Sequence, residues 1–76
     1  MKVYQSSDIA KRIKARAKQH GVSARKMLID LGLGLNTMSN MKTSMPNADS
    51  VARMADYLDC SVDFLLGRTD NPEINR

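Results

Sequence analysis

The chain has few of the devices with which small proteins reinforce themselves. Its 76 residues include one cysteine, Cys60, and one histidine, His20. A disulfide framework needs paired thiols and a zinc ribbon needs clustered ligands, so both are excluded. Tryptophan is absent, and no apolar run approaches the roughly 18 residues of a spanning helix. Nor is Met1–Tyr4 followed by the apolar stretch of a signal peptide. These absences predict a soluble, cytoplasmic protein with no membrane partner. No glycine-rich loop follows a strand-like segment, and no nucleophile has a base close by, so the sequence carries no sign of an enzyme, a cofactor or a small-molecule ligand. Internal repeats and low-complexity segments are also missing. There is room for one domain, and a chain of about 60 residues buries only about 60% of the surface it exposes unfolded, so the core must be compact and regular.

What is present is charge, unevenly placed. Met1–Lys42 holds nine basic residues (Lys2, Lys11, Arg12, Lys14, Arg16, Lys18, Arg25, Lys26, Lys42) and two acids (Asp8, Asp30), an excess of seven positive charges. The remainder holds three basic residues and six acids, an excess of three negative. Such polarity attracts a polyanion to one side of a small domain, although a basic helix face in water has the same composition. Organisation has to decide between them.

Helical spacing recurs throughout, and period-two alternation is nowhere sustained. Five helices are predicted. The first starts after Ser7 as N-cap, turns Ile9, Ile13 and Ala17 to one face and stops at Gly21. Ser23 caps a second, running to about Leu31 with Met27, Leu28 and Leu31 inward, and Gly32 ends it in the left-handed position that glycine tolerates. A third spans about Leu35 to Lys42, with Met38 and Met41 inward and Asn36, Thr37, Ser39 and Asn40 outside. Asn47 caps a fourth, whose Val51, Met54, Ala55 and Leu58 fall at i, i+3, i+4 and i+7. Ser61 caps a short fifth, Val62–Leu66, stopped by Gly67, and Arg68–Arg76 reads as a polar tail. His20 reads as a surface residue at a helix end, Cys60 as a small half-buried filler, and the six methionines as an adaptable core.

Two short helices joined by a glycine-containing turn, the second polar outside, form the pattern of a helix-turn-helix. The strings Ile9-Ala-Lys-Arg-Ile13, Gly21-Val-Ser23, Asp30-Leu-Gly-Leu-Gly34, Asn36-Thr-Met-Ser-Asn40, Met54-Ala-Asp-Tyr-Leu58 and Cys60-Ser-Val-Asp-Phe-Leu-Leu-Gly67 carry a resemblance to the phage repressor and Cro family, the lambda-repressor-like, XRE-type regulators. It covers about three quarters of the chain. Ala24 and Leu28 stand where the family usually has glutamine and alanine, and Lys42 where it often has glutamate or arginine, differences that bear on the docking angle. The resemblance implies an all-α, compact five-helix bundle with the helix-turn-helix at helices two and three. Residues 1–6 would form an N-terminal arm, 7–67 the DNA-binding domain and 68–76 the tail.

The implied function is sequence-specific binding of double-stranded DNA, with transcriptional repression as its outcome. Base reading needs short polar side chains on the helix inserted in the major groove. Asn36 and Asn40, one turn apart, can each pair bidentately with adenine, and Thr37 can meet a base or a thymine methyl. Leu35, at the family's first base-contacting position, could only touch a thymine methyl or pack against its own domain. By carry-over from the family, Ser23 and Lys26 serve one phosphate clamp and Lys42, Thr43, Ser44 and Asn47 a second, with Ser39 a further phosphate candidate. Helix-start N–H groups would assist both clamps. The family also implies a homodimer on DNA, with Phe64, Leu65, Arg68 and Ile74 of the fifth helix and tail as candidates for the two-fold contact. A rival from another class is a protein-interaction module, an antitoxin or adaptor on the same scaffold, to which the acidic Asp49, Asp56, Asp59 and Asp63 lend support.

Overall fold

The computed structural model describes residues 3–74. Met1 and Lys2 of the expected arm, and Asn75 and Arg76 of the expected tail, lie outside the described residues. The described chain is all-helical, without strands, and contains five helices: α1 (Ser6–Gln19), α2 (Ala24–Leu31), α3 (Thr37–Asn40), α4 (Ala48–Tyr57) and α5 (Val62–Leu66). No helix among these residues is long and apolar enough to cross a membrane.

The apolar stripes meet in one core. Ile9, Ile13 and Ala17 of α1, with Ala10, lie against Met27 and Leu28 of α2, Val51, Met54 and Ala55 of α4, and Leu65 of α5. Leu58 and Cys60 in the α4–α5 turn are buried with them, as are Met38 and Met41 from the region of α3. α1 packs on α2 and α5, and α4 packs on the same two, which closes a ring around the core. α3 lies outside this ring and is attached through Met38 and, just past its end, Met41. Leu31, expected inward, is only half-buried.

Three predicted caps form. Ser23 Oγ accepts from the Lys26 N–H at 3.0 Å, Asn47 Oδ1 from the Ser50 N–H at 2.8 Å and Ser61 Oγ from the Phe64 N–H at 3.0 Å. The expected cap of α1 does not. Ser7 lies inside the helix, and Gln5, in extended backbone, occupies the N-cap position with no side-chain bond. Its carbonyl receives both the Asp8 and Ile9 N–H groups, so the helix begins a residue before Ser7.

The third helix is shorter than expected. Only Thr37–Asn40 is α-helical, where the sequence spacing predicts Leu35–Lys42. The Thr37 hydroxyl donates to the Gly34 carbonyl and the Thr37 N–H bonds to the same oxygen, which makes the approach through Leu35 and Asn36 a turn. Beyond Asn40, the Lys42 N–H reaches the Ser39 carbonyl and the Thr43 N–H the Asn40 carbonyl, three residues back, the tight winding of a helix end.

The other four helices finish in one arrangement. At α1, α2, α4 and α5 a backbone N–H bonds five residues back and the preceding N–H three residues back. The long bonds are Val22 to Ala17, Leu33 to Leu28, Cys60 to Ala55 and Arg68 to Asp63. This double bond requires a left-handed residue after the helix. Three of the helices use glycine, and α4 uses Asp59, at φ +53°. Chain past α5 also departs from a merely polar tail. The Ser61 N–H donates to the Pro72 carbonyl at 2.9 Å, and Ile74 is half-buried beside Ala52, Ala55 and Val62.

Candidate nucleic-acid interface

The turn between α2 and α3 delivers four polar residues to one edge of the molecule. Asn36 and Asn40 are joined through the backbone by the Asn40 N–H to the Asn36 carbonyl at 2.8 Å, one helical turn. Both side chains are exposed, and neither amide makes a hydrogen bond within the described residues. Ser39 is exposed and Thr37 half-buried. Met38 and Met41, 8% and 1% exposed, are the reason for this outward display, because their burial fixes the opposite side of α3 to the body.

Thr37 is partly committed. Its hydroxyl donates to Gly34, which leaves the oxygen lone pairs and the methyl for any further contact. Leu35 is 51% exposed, a large apolar side chain left in solvent beside Asn36. The Asn40 carbonyl also receives the Ser44 N–H at 2.9 Å. Past α3, Lys42, Thr43, Ser44 and Asn47 are exposed. Thr37, Asn40, Ser44 and Asn47 line one open depression of about 200 Å³ between the end of α3 and the start of α4, together with the apolar Met41 and Pro46. Lys42 and Thr43 do not line it. The Asn47 amide oxygen is engaged as a cap, so only its NH₂ group remains for an outside partner.

At the start of α2 the Ser23 hydroxyl accepts from the Lys26 N–H, while the Ala24 and Arg25 N–H groups face out of the helix end. The Lys26 side chain points elsewhere. Its Nζ lies 3.1 Å from both carboxylate oxygens of Asp30, and the Tyr57 hydroxyl from α4 donates to the same carboxylate. The Tyr57 bond first and the Lys26 bond second hold the Asp30 carboxyl below its ordinary value of 3.8. The same contact raises the Tyr57 phenol above 10.0. Four residues before Tyr57, the Arg53 guanidinium donates to the Leu31 carbonyl, so α4 clasps the end of α2 at two points.

Two arginines that contribute to the sequence's positive half lie against helix ends. Arg16 donates to the Leu58 and Asp59 carbonyls, each at 3.1 Å, and its guanidinium lies 5.9 Å from the Phe64 ring centre. The Arg12 guanidinium lies against Gly67, where a Cβ would sit 2.7 Å from Arg12 Nε. Both cations therefore meet the C-terminal ends of helices, where the dipole favours them. Their long separation from these partners hides them in a sequence.

The residues suggested for a two-fold contact are also largely engaged. Leu65 is fully buried in its own core, Phe64 and Ile74 are half-buried, and Arg68 pairs with Asp63 at 3.5 Å. Leu65 is thereby removed as a surface contact, because the α5 stripe turns it between α1 and α4. Cys60 is 1% exposed, more buried than the half-buried filler expected, and burial pushes its thiol up. Comparison of the chain with family models, with curated proteins and with solved structures found no match.

Proposed function

We propose that the protein is a sequence-specific DNA-binding regulator, a repressor that reads the major groove with α3 and the turns on either side of it. The carrying observation is the pair of exposed amides, Asn36 and Asn40, one turn apart and without a side-chain hydrogen bond among the described residues. An amide in that state can donate to and accept from one adenine edge at once, and each such pair discriminates by roughly 1–3 kcal/mol. Leu35 and the Thr37 methyl would meet thymine methyls. Ser39, Lys42, Thr43, Ser44 and the Asn47 NH₂ would hold the backbone on one side, with Ser23 and the α2 N–H groups on the other. The resemblance to the phage repressor and Cro family supports the same assignment and suggests two copies on half-sites about 34 Å apart.

Selection of bound duplexes from a random pool tests the reading. A defined motif is expected, and Asn36→Ala with Asn40→Ala should erase it while leaving nonspecific binding mostly intact. Full sequence preference in the double variant would exclude α3 as the reading element.

The second reading, a protein-interaction module such as an antitoxin or adaptor, is favoured by Ile29 and Met45, 57% and 49% exposed, which no base or phosphate contact requires. Duplex binding that falls steeply with salt separates the two.

A further inference from the structure

Lys26 stands in the first turn of α2, beside outward N–H groups, yet its charge is neutralised by Asp30. The two partners are not held alike. Lys26 is 64% exposed along its side chain and Asp30 34%, and Asp30 is bonded a second time by Tyr57. The acid is thus the anchored member and the lysine the movable one. Tyr57 ends α4, whose ten residues extend about 15 Å from the Asn47 cap. The pull on Lys26 is therefore directed along α2 toward its C-terminal end, where Tyr57 meets Asp30.

We infer that Asp30, anchored by Tyr57, is an internal rival for the Lys26 ammonium that keeps it off the DNA backbone and limits how tightly α2 grips a phosphate. The inference rests on the DNA reading above. An exposed ion pair is weak enough for a phosphate to displace it. Displacement nevertheless leaves a carboxylate held only by Tyr57, its charge uncompensated beside a phosphate, and a lysine already neutralised releases fewer counterions from the duplex. The geometry makes Asp30 a brake on affinity that is independent of base sequence, because it acts through the backbone contact alone.

The test needs no knowledge of the operator. Binding of the full chain to an arbitrary duplex is followed by fluorescence anisotropy at salt concentrations from about 50 to 200 mM. Asp30→Asn, which keeps the side-chain shape and an acceptor for Tyr57, should bind about three- to tenfold more tightly at the low end and steepen the salt slope by about 0.9. Tyr57→Phe should give a smaller gain in the same direction. In a Lys26→Ala background the Asp30→Asn gain should shrink below about twofold, since the rivalry has lost its object. Unchanged or weaker binding by Asp30→Asn overturns the inference, as does a full gain without Lys26, which would reduce Asp30 to one unit of net charge. In both cases DNA binding itself stands. Absence of duplex binding by the unaltered chain at low salt removes both readings together.

Discussion

Single residues carry the strongest chemical commitments, and the least legible of them is Asp59. It is the one non-glycine among the described residues with positive φ, at +53°. Aspartate tolerates that region better than most residues but still less well than glycine. Asp59→Gly should raise stability by about 0.5–1 kcal/mol, visible as a thermal midpoint a few degrees higher; a lower midpoint would mean that its side chain contributes more than its backbone costs. The Tyr57–Asp30 contact sets a pH window. Asp30 is depressed, so its contribution is complete above 3.8 and lost as pH falls through the folded value. Tyr57 is raised, so its contribution is complete below 10.0 and lost as pH climbs through the folded value. Unfolding followed across alkaline pH should show a fall near and above pH 10 that Tyr57→Phe removes. Ser23, Asn47 and Ser61 were readable as caps because each bonds a group three residues on. Arg16, Arg53 and Tyr57 were not, because their partners lie 42, 22 and 27 residues away, a separation that local patterns do not encode.

Among the elements, α3 is the most dependent on its neighbours. Four helical residues cannot form a stable helix alone, so its shape comes from the turns around it and from Met38 and Met41 below. Met41→Ala should cost about 2–5 kcal/mol in global stability and loosen α3 at temperatures where the rest is still folded. Amide exchange along 36–44 would report that order of loss; simultaneous loss with α1 would refute it. The inward and outward faces of α3 were legible, since apolar spacing marks a stripe. Its ends were not, because neither glycine nor proline stands at 41–43 and the Thr37–Gly34 bond depends on side-chain geometry. Gly67 ends α5 with φ +84° while Arg12 occupies the space a Cβ would need. Gly67→Ala should therefore destabilise by about 1–2 kcal/mol, the backbone strain alone, because the exposed Arg12 guanidinium can swing aside; the denaturant midpoint measures it. A cost well above that range would mean that Arg12 is held against Gly67.

At the scale of the whole molecule, the polarity of the sequence overstates the charge available to a partner. Arg12, Arg16 and Lys26 belong to the positive half, yet the first two face helix ends and the third an acid. Arg16→Ala should lower stability by about 1–3 kcal/mol, because the Leu58 and Asp59 carbonyls lose their donor, while the duplex affinity proposed above changes little. A large loss of affinity with unchanged stability would return Arg16 to the interface. The all-helical class and the burial of nearly every predicted inward residue were readable from period and caps, whereas the closing of the chain past Gly67 was not, since Pro72 and Ile74 sit in an otherwise polar string. That fold-back has a practical corollary. Truncation after Gly67 should uncover the seam between α4 and α5 and lower the denaturant midpoint, so the string that looks like an appendage behaves as a latch.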